Sequence, residues 1–224
     1  MGPGIIGAVG GSSLTGRAIV IAPDTFLDLS RFALPAVILL ITTSLTILAS
    51  HHWRWCLFAL ALQYTGVFVL VSLNWPFALA AVKVVSGWMA GLVLVIAVYN
   101  SPDTWMSEER AQPGGAPFRL LAAGLVAMVV ASIAPRVASW MPGVEMEQVW
   151  GGLILIGIGL LHLGLTAQPL RVVLGLLTVL SGFEILYAAV ETATLVAGLL
   201  AGVNLGLALV GAYLLVSPSL ENAE

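Results

Sequence analysis

Three ionisable side chains sit where almost nothing else is polar. Lys83 lies within ALAAVKVVSGW, His162 within IGIGLLHLGL and Glu184 within LSGFEILYAAV. Each can exchange a proton, and Lys83 and Glu184 carry opposite charges. Two amides, Gln63 and Asn204, interrupt other apolar runs. An ionisable group in hydrocarbon costs several kcal/mol and usually faces a bundle interior, where it pairs or marks a pathway. The bland alternatives are a lysine that snorkels to the interface, a protonated buried carboxyl and a hydrogen-bonded core histidine.

Other chemistry finds little support. His51, His52 and Cys56 offer no fourth ligand and fit an interfacial basic patch better than a metal site. No other histidine lies in an apolar run, so His162 cannot be half of a bis-histidine haem site. No phosphate-binding loop, HExxH or Ser-His-Asp arrangement is present. The sequence therefore predicts no catalytic set, no metal and no cofactor. Cys56 is the single cysteine, which excludes an internal disulfide.

The elements that position these residues follow from composition. Of 224 residues, 60% are hydrophobic and 8% charged, whereas a soluble domain carries roughly a quarter charged residues. Eight Lys+Arg and eleven Asp+Glu cannot cover a water-facing surface. The chain is expected to be an integral membrane protein, an all-α polytopic bundle in the lipid bilayer. Its net charge of −3 argues against a nucleic-acid partner.

Seven windows approach the roughly 20 apolar residues of a span. They cover about 32–50, 56–73, 77–99, 118–134 and 148–166, then a nearly continuous run over 170–216 divided near Glu191. The breaks are HHWRW at 51–55, NWP at 74–76, APR at 134–136 and QPLR at 168–171. Residues 1–29 form a Gly-rich arm in which an eighth short span is an open alternative. The 100–117 loop, with SEER and QPGGAP, separates a three-span half (30–99) from a four-span half (118–216), and 217–224 form a tail. Trp53, Trp55, Trp75, Trp140 and Trp150 fall at span ends, where interfacial indoles sit. Seven spans put the termini on opposite sides. Arg54, Arg110, Arg119 and Arg171 on one side, against Arg17, Arg31 and Arg136 on the other, point to a cytoplasmic C-terminus.

Helical rise places Lys83 and Glu184 each roughly 10 Å from the surface on the N-terminal side. A neutralising pair follows if their helices touch. Gly198, Gly202 and Gly206, four apart, put a glycine stripe on one face of the last span. Such a stripe either compacts the last three spans or docks against a partner.

The last three spans, about 148–216, carry Gly182-Phe-Glu-Ile185, the short loop Gln168-Pro-Leu-Arg171 and Gly206-Leu-Ala-Leu209. They resemble the three-helix chain 4L family of complex I-like enzymes and the C subunit of multisubunit cation/proton antiporters. In length and layout the chain resembles component E of hydrogenase-4-type complexes, with Lys83 on a similar lysine-bearing helix. The resemblance implies a non-catalytic subunit beside larger antiporter-like membrane subunits, in a bacterial plasma membrane, with Glu184 as a proton-relay carboxylate. Where that family has a second carboxylate in its third helix, this chain has Gly202-Val203-Asn204. A different class of reading is a structural scaffold subunit or a stand-alone small-solute carrier.

Overall fold

A computed structural model describes residues 29–50, 52–100, 115–141 and 143–221. Residues 1–28, most of the 100–117 loop and the last three residues lie outside this set, and with them the question of an eighth span. A short 3-10 turn, Leu29–Phe32, leads into seven helices: α1 Ala33–Ala49, α2 Trp53–Val71, α3 Phe77–Asn100, α4 Ala116–Trp140, α5 Met146–Leu165, α6 Pro169–Val190 and α7 Thr194–Glu221. Six are long and apolar enough to cross a membrane, and α1, at 17 residues, is a shorter apolar helix. The all-α membrane bundle expected from composition is the observed architecture. Helices are the natural solution because each satisfies its own backbone where no water is present to do so.

Local sequence sets the ends. Pro117 and Pro169 stand in the first turns of α4 and α6, where the missing N–H costs nothing. Glu145 and Gln148 close a reciprocal cap on α5. Gly143, at φ +89°, makes the turn into α5 with a backbone that a side chain would strain. Several boundaries differ from the sequence expectation. The last helix does not end at 216 but continues to Glu221, into the expected 217–224 tail, and α2 starts within HHWRW, at Trp53. The APR at 134–136 does not end α4, which runs through Pro135 to Trp140. Proline is tolerated inside a membrane helix where local adjustment re-satisfies the freed carbonyl.

Six helices form a closed ring in the order α1–α2–α3–α7–α6–α5, and α2 touches α6 across it. α4 lies outside, mainly against α5, and buries a single narrow stripe of Arg119, Ala123, Val130 and Ala134. The last helix packs more extensively on α3 than on its neighbour α6. Leu60, Leu94, Leu174 and Leu177 centre one core among α2, α3, α6 and α7. Leu40, Leu70, Leu155 and Ile185 centre another among α1, α2, α5 and α6.

The tightest seam joins α5 to α6. A Cβ added at Gly182 would lie 2.6 Å from the Gly152 carbonyl oxygen, and one at Gly159 would lie 2.9 Å from the Val179 nitrogen. By contrast, a Cβ at Gly198, Gly202 or Gly206 meets nothing within 4 Å. The stripe on α7 therefore does not compact the last three helices. That role belongs to Gly152, Gly159, Gly175 and Gly182, whose backbones meet across the α5–α6 seam.

Candidate functional site: a buried charge pair held by four helices

The antiparallel alternation of the helices puts the end of α2, the start of α3 and the end of α6 at one end of the bundle. Lys83 lies six residues into α3 and Glu184 six residues before the end of α6, each about 9 Å deep at 1.5 Å per residue. Lys83 Nζ donates to Glu184 Oε1 at 2.8 Å, and both side chains are essentially inaccessible. The pair that depth alone allowed is made.

Two further helices complete the site. Asn204 of α7 donates from Nδ2 to the same Glu184 oxygen at 3.1 Å. Its own Oδ1 accepts from the Tyr64 hydroxyl of α2 at 2.9 Å. All four side chains are buried. Tyr64 fits because residue 87 on α3 is glycine, and any side chain there would collide with the phenol ring. Trp75, between α2 and α3, lies with its ring centroid 5.9 Å from Lys83 Nζ, within cation–π range. It donates from Nε1 to the Glu191 carbonyl at 2.9 Å. Trp75 is thus a buried floor of the site, not the interfacial anchor its position suggested. Its loop neighbours Asn74 and Pro76 stay exposed, so it is the indole alone that turns inward.

The two carboxylate oxygens differ. Oε1 takes both donors, while Oε2 has no hydrogen-bond partner among the described residues. A proton can be received on Oε2 without breaking the contacts on Oε1. The lysine balances the charge of the carboxylate, so the ionised site as a whole is neutral, and a proton passing along the 2.8 Å contact would leave two neutral groups. The chemistry available is proton holding and release. Among the described residues, no group of three His, Cys, Asp or Glu side chains is placed to hold a metal ion.

His162 does not join this site. It lies three residues from the end of α5, at the opposite end of the bundle. Along the helix axes this puts it about 18 Å from the level of Glu184, far beyond a single proton transfer. It is buried, with Nε2 lacking a hydrogen-bond partner among the described residues and with Arg119 and Arg171 within electrostatic reach. Those arginines, counted from sequence as loop charges, are buried at that end. Arg171 donates to the Ser50 carbonyl at 2.7 Å and Arg119 to the Leu48 carbonyl at 3.4 Å. Both meet the C-terminal end of α1, where carbonyls lack helical partners and the helix dipole favours cations. Cys56 is buried beside them, its thiol 3.8 Å from the Ser50 oxygen. Glu191 is exposed and caps its neighbour's amide, so it stays outside the buried site.

Sequence reasoning missed Tyr64 as a member of the site. The available signal was its adjacency to Gln63, a second polar residue in the same apolar window. Gln63 itself is fully buried, with neither amide atom hydrogen-bonded among the described residues. Asn204, read from sequence only as an amide interrupting an apolar run, binds Glu184 directly. No known protein family, curated protein or solved structure matches this chain.

Proposed function

We propose that this chain is a non-catalytic membrane subunit of a complex I-like, hydrogenase-like or antiporter-like assembly, in which Glu184 is one station of a proton relay. The observation that supports this most is the buried carboxylate, six residues from the end of α6, with one oxygen anchored by Lys83 and Asn204 and the other open. The likeness of Gly182-Phe-Glu-Ile185 to the chain 4L motif points the same way. In this reading Lys83 tunes the carboxylate, Asn204 and Tyr64 fix its orientation, and redox or ion-pumping power comes from larger partner subunits. His162 is a separate group toward the other face, and the C-terminus is cytoplasmic in a bacterial plasma membrane.

Glu184→Gln tests the relay. Gln keeps the size and can accept from Lys83, but it cannot carry a proton. The expected result is an assembly that purifies intact and has lost proton uptake in reconstituted vesicles. Pumping at the wild-type rate would leave Glu184 a structural carboxyl and favour the scaffold reading. A chain that purifies only alone or as a homo-oligomer would favour a carrier.

The open face of α7 bears on the partner. Because an added Cβ at Gly202 meets nothing within 4 Å among the described residues, Gly202→Leu should leave the subunit folded. In lipid, helices associate through close contact at small residues, so the same change should displace a partner helix. Loss of the large assembly on a native gel, with the variant subunit still present in the membrane at normal abundance, is the expected pattern.

A further inference from the structure

Independently of the relay, the outer face of the α2–α3 pair carries a groove of about 510 Å³ lined by Arg54, Leu57, Ala61, Trp88 and Gly91 among others. Its position across the bilayer is informative. Arg54 stands in the first turn of α2, at the end of the bundle opposite the Lys83–Glu184 site. Trp88 lies eleven residues into the 24-residue α3, near the midplane. The groove therefore runs from one interface to the middle. The seven residues from Arg54 to Ala61 span about 10 Å, most of one leaflet's share of a hydrocarbon core about 30 Å thick.

Its chemistry changes along that length. The inner part is apolar, and Trp88 adds little polarity because its indole N–H is taken by the Ala61 carbonyl at 3.1 Å. A Cβ at Gly91 would meet nothing, so the groove is open there. The mouth holds the exposed Arg54 guanidinium, 5.5 Å from the Trp53 ring centroid. Among the described residues no carboxylate pairs with Arg54. Trp53 sits where interfacial indoles meet headgroups.

We propose that this groove binds an anionic phospholipid of the adjacent leaflet, with one acyl chain along Leu57, Ala61 and Gly91 and the phosphate on Arg54. Two features favour a lipid over a partner helix. A helix needs an apolar seam across the whole bilayer, and this groove stops at the midplane. Among the described residues that line it the one charge is a cation at headgroup level, and a guanidinium binds phosphate oxygens bidentately. An anionic headgroup is favoured over a zwitterionic one because no second headgroup charge offsets the attraction to Arg54.

The experiment uses the full chain in mild detergent, with phosphatidylglycerol or phosphatidylcholine of identical chains added, and counts retained lipid by native mass spectrometry. Wild type should prefer phosphatidylglycerol about fivefold, the worth of one basic residue against an anionic surface. Arg54→Gln should abolish the preference, and Arg54→Lys should keep most of it. Gly91→Leu places a side chain in the groove at a position where an added Cβ meets nothing within 4 Å among the described residues. It should expel either lipid while the variant melts like wild type in lipid-free detergent. Equal retention of the two lipids by wild type would overturn the proposal. So would undiminished phosphatidylglycerol retention in Gly91→Leu, or cross-linking of a second protein to a cysteine introduced at position 92.

Discussion

Lys83→Met is expected to destabilise the bundle by about 3–5 kcal/mol, the usual cost of removing one partner of a buried ion pair. The removed group is the cation that balances Glu184 at 2.8 Å, and both side chains are closed to solvent. The loss should fall toward the lower end, because Asn204 still donates to the carboxylate and the carboxyl can take up a proton. Glu184→Gln leaves the complementary problem, an ammonium facing only amide oxygens. The double variant Lys83→Met/Glu184→Gln removes both charges and should lose less than the sum of the single losses. A coupling of about 1–3 kcal/mol is the range for residues in direct contact. Reversible unfolding in detergent, run on all four proteins, measures it. Additive losses would mean that the two groups do not interact in the folded bundle.

The second large effect concerns a residue with no polar chemistry. Gly182→Ala should cost about 3 kcal/mol, the upper end of what overpacking usually costs. The new methyl would lie 2.6 Å from the Gly152 oxygen and 2.9 Å from the Ile156 nitrogen. These are backbone atoms of α5, so no side chain can rotate away and the two helices must separate. Gly182 is also two residues from Glu184, so separation tilts the carboxylate away from Lys83. Gly202→Ala is the control, since its methyl meets nothing and stability should stay within about 0.5 kcal/mol of wild type. Thermal melts of the two variants side by side decide the matter. Equal stabilities would show that the α5–α6 seam is looser than the glycine contacts imply.

These two sites differ in how much the sequence disclosed. Lys83 and Glu184 were legible as a pair because depth follows from counting residues along a helix of fixed rise. Which helix faces meet does not follow from counting, so Tyr64 was missed and Asn204 was read only as an amide interrupting an apolar run. The glycines show the same boundary more sharply. Gly198, Gly202 and Gly206 have the regular spacing, yet they face away from the chain. Gly152 and Gly182 belong to less regular sets and make the close seam. In a soluble protein an outward face betrays itself by polar residues. Here lipid tails are as apolar as the interior, so that contrast is missing. Arg119 and Arg171 were placed at the correct end of the bundle by the span count. Their burial depended on a tertiary fact, that the end of α1 offers them carbonyl oxygens.

The Lys83–Glu184 contact joins residues 101 positions apart in the chain. At a synthesis rate of about 5–20 residues per second, the lysine is inserted roughly 5–20 s before its carboxylate exists. For that interval the first three helices carry an unneutralised ammonium within the bilayer. Lys83 stands close enough to a helix end for its long side chain to reach the interface meanwhile, as snorkelling lysines do. Closing the ring then requires that the ammonium be drawn inward when α6 arrives. Assembly of the first three helices with α6 and α7 is therefore a timed event, and the charge on Lys83 is held in waiting until α6 has been made.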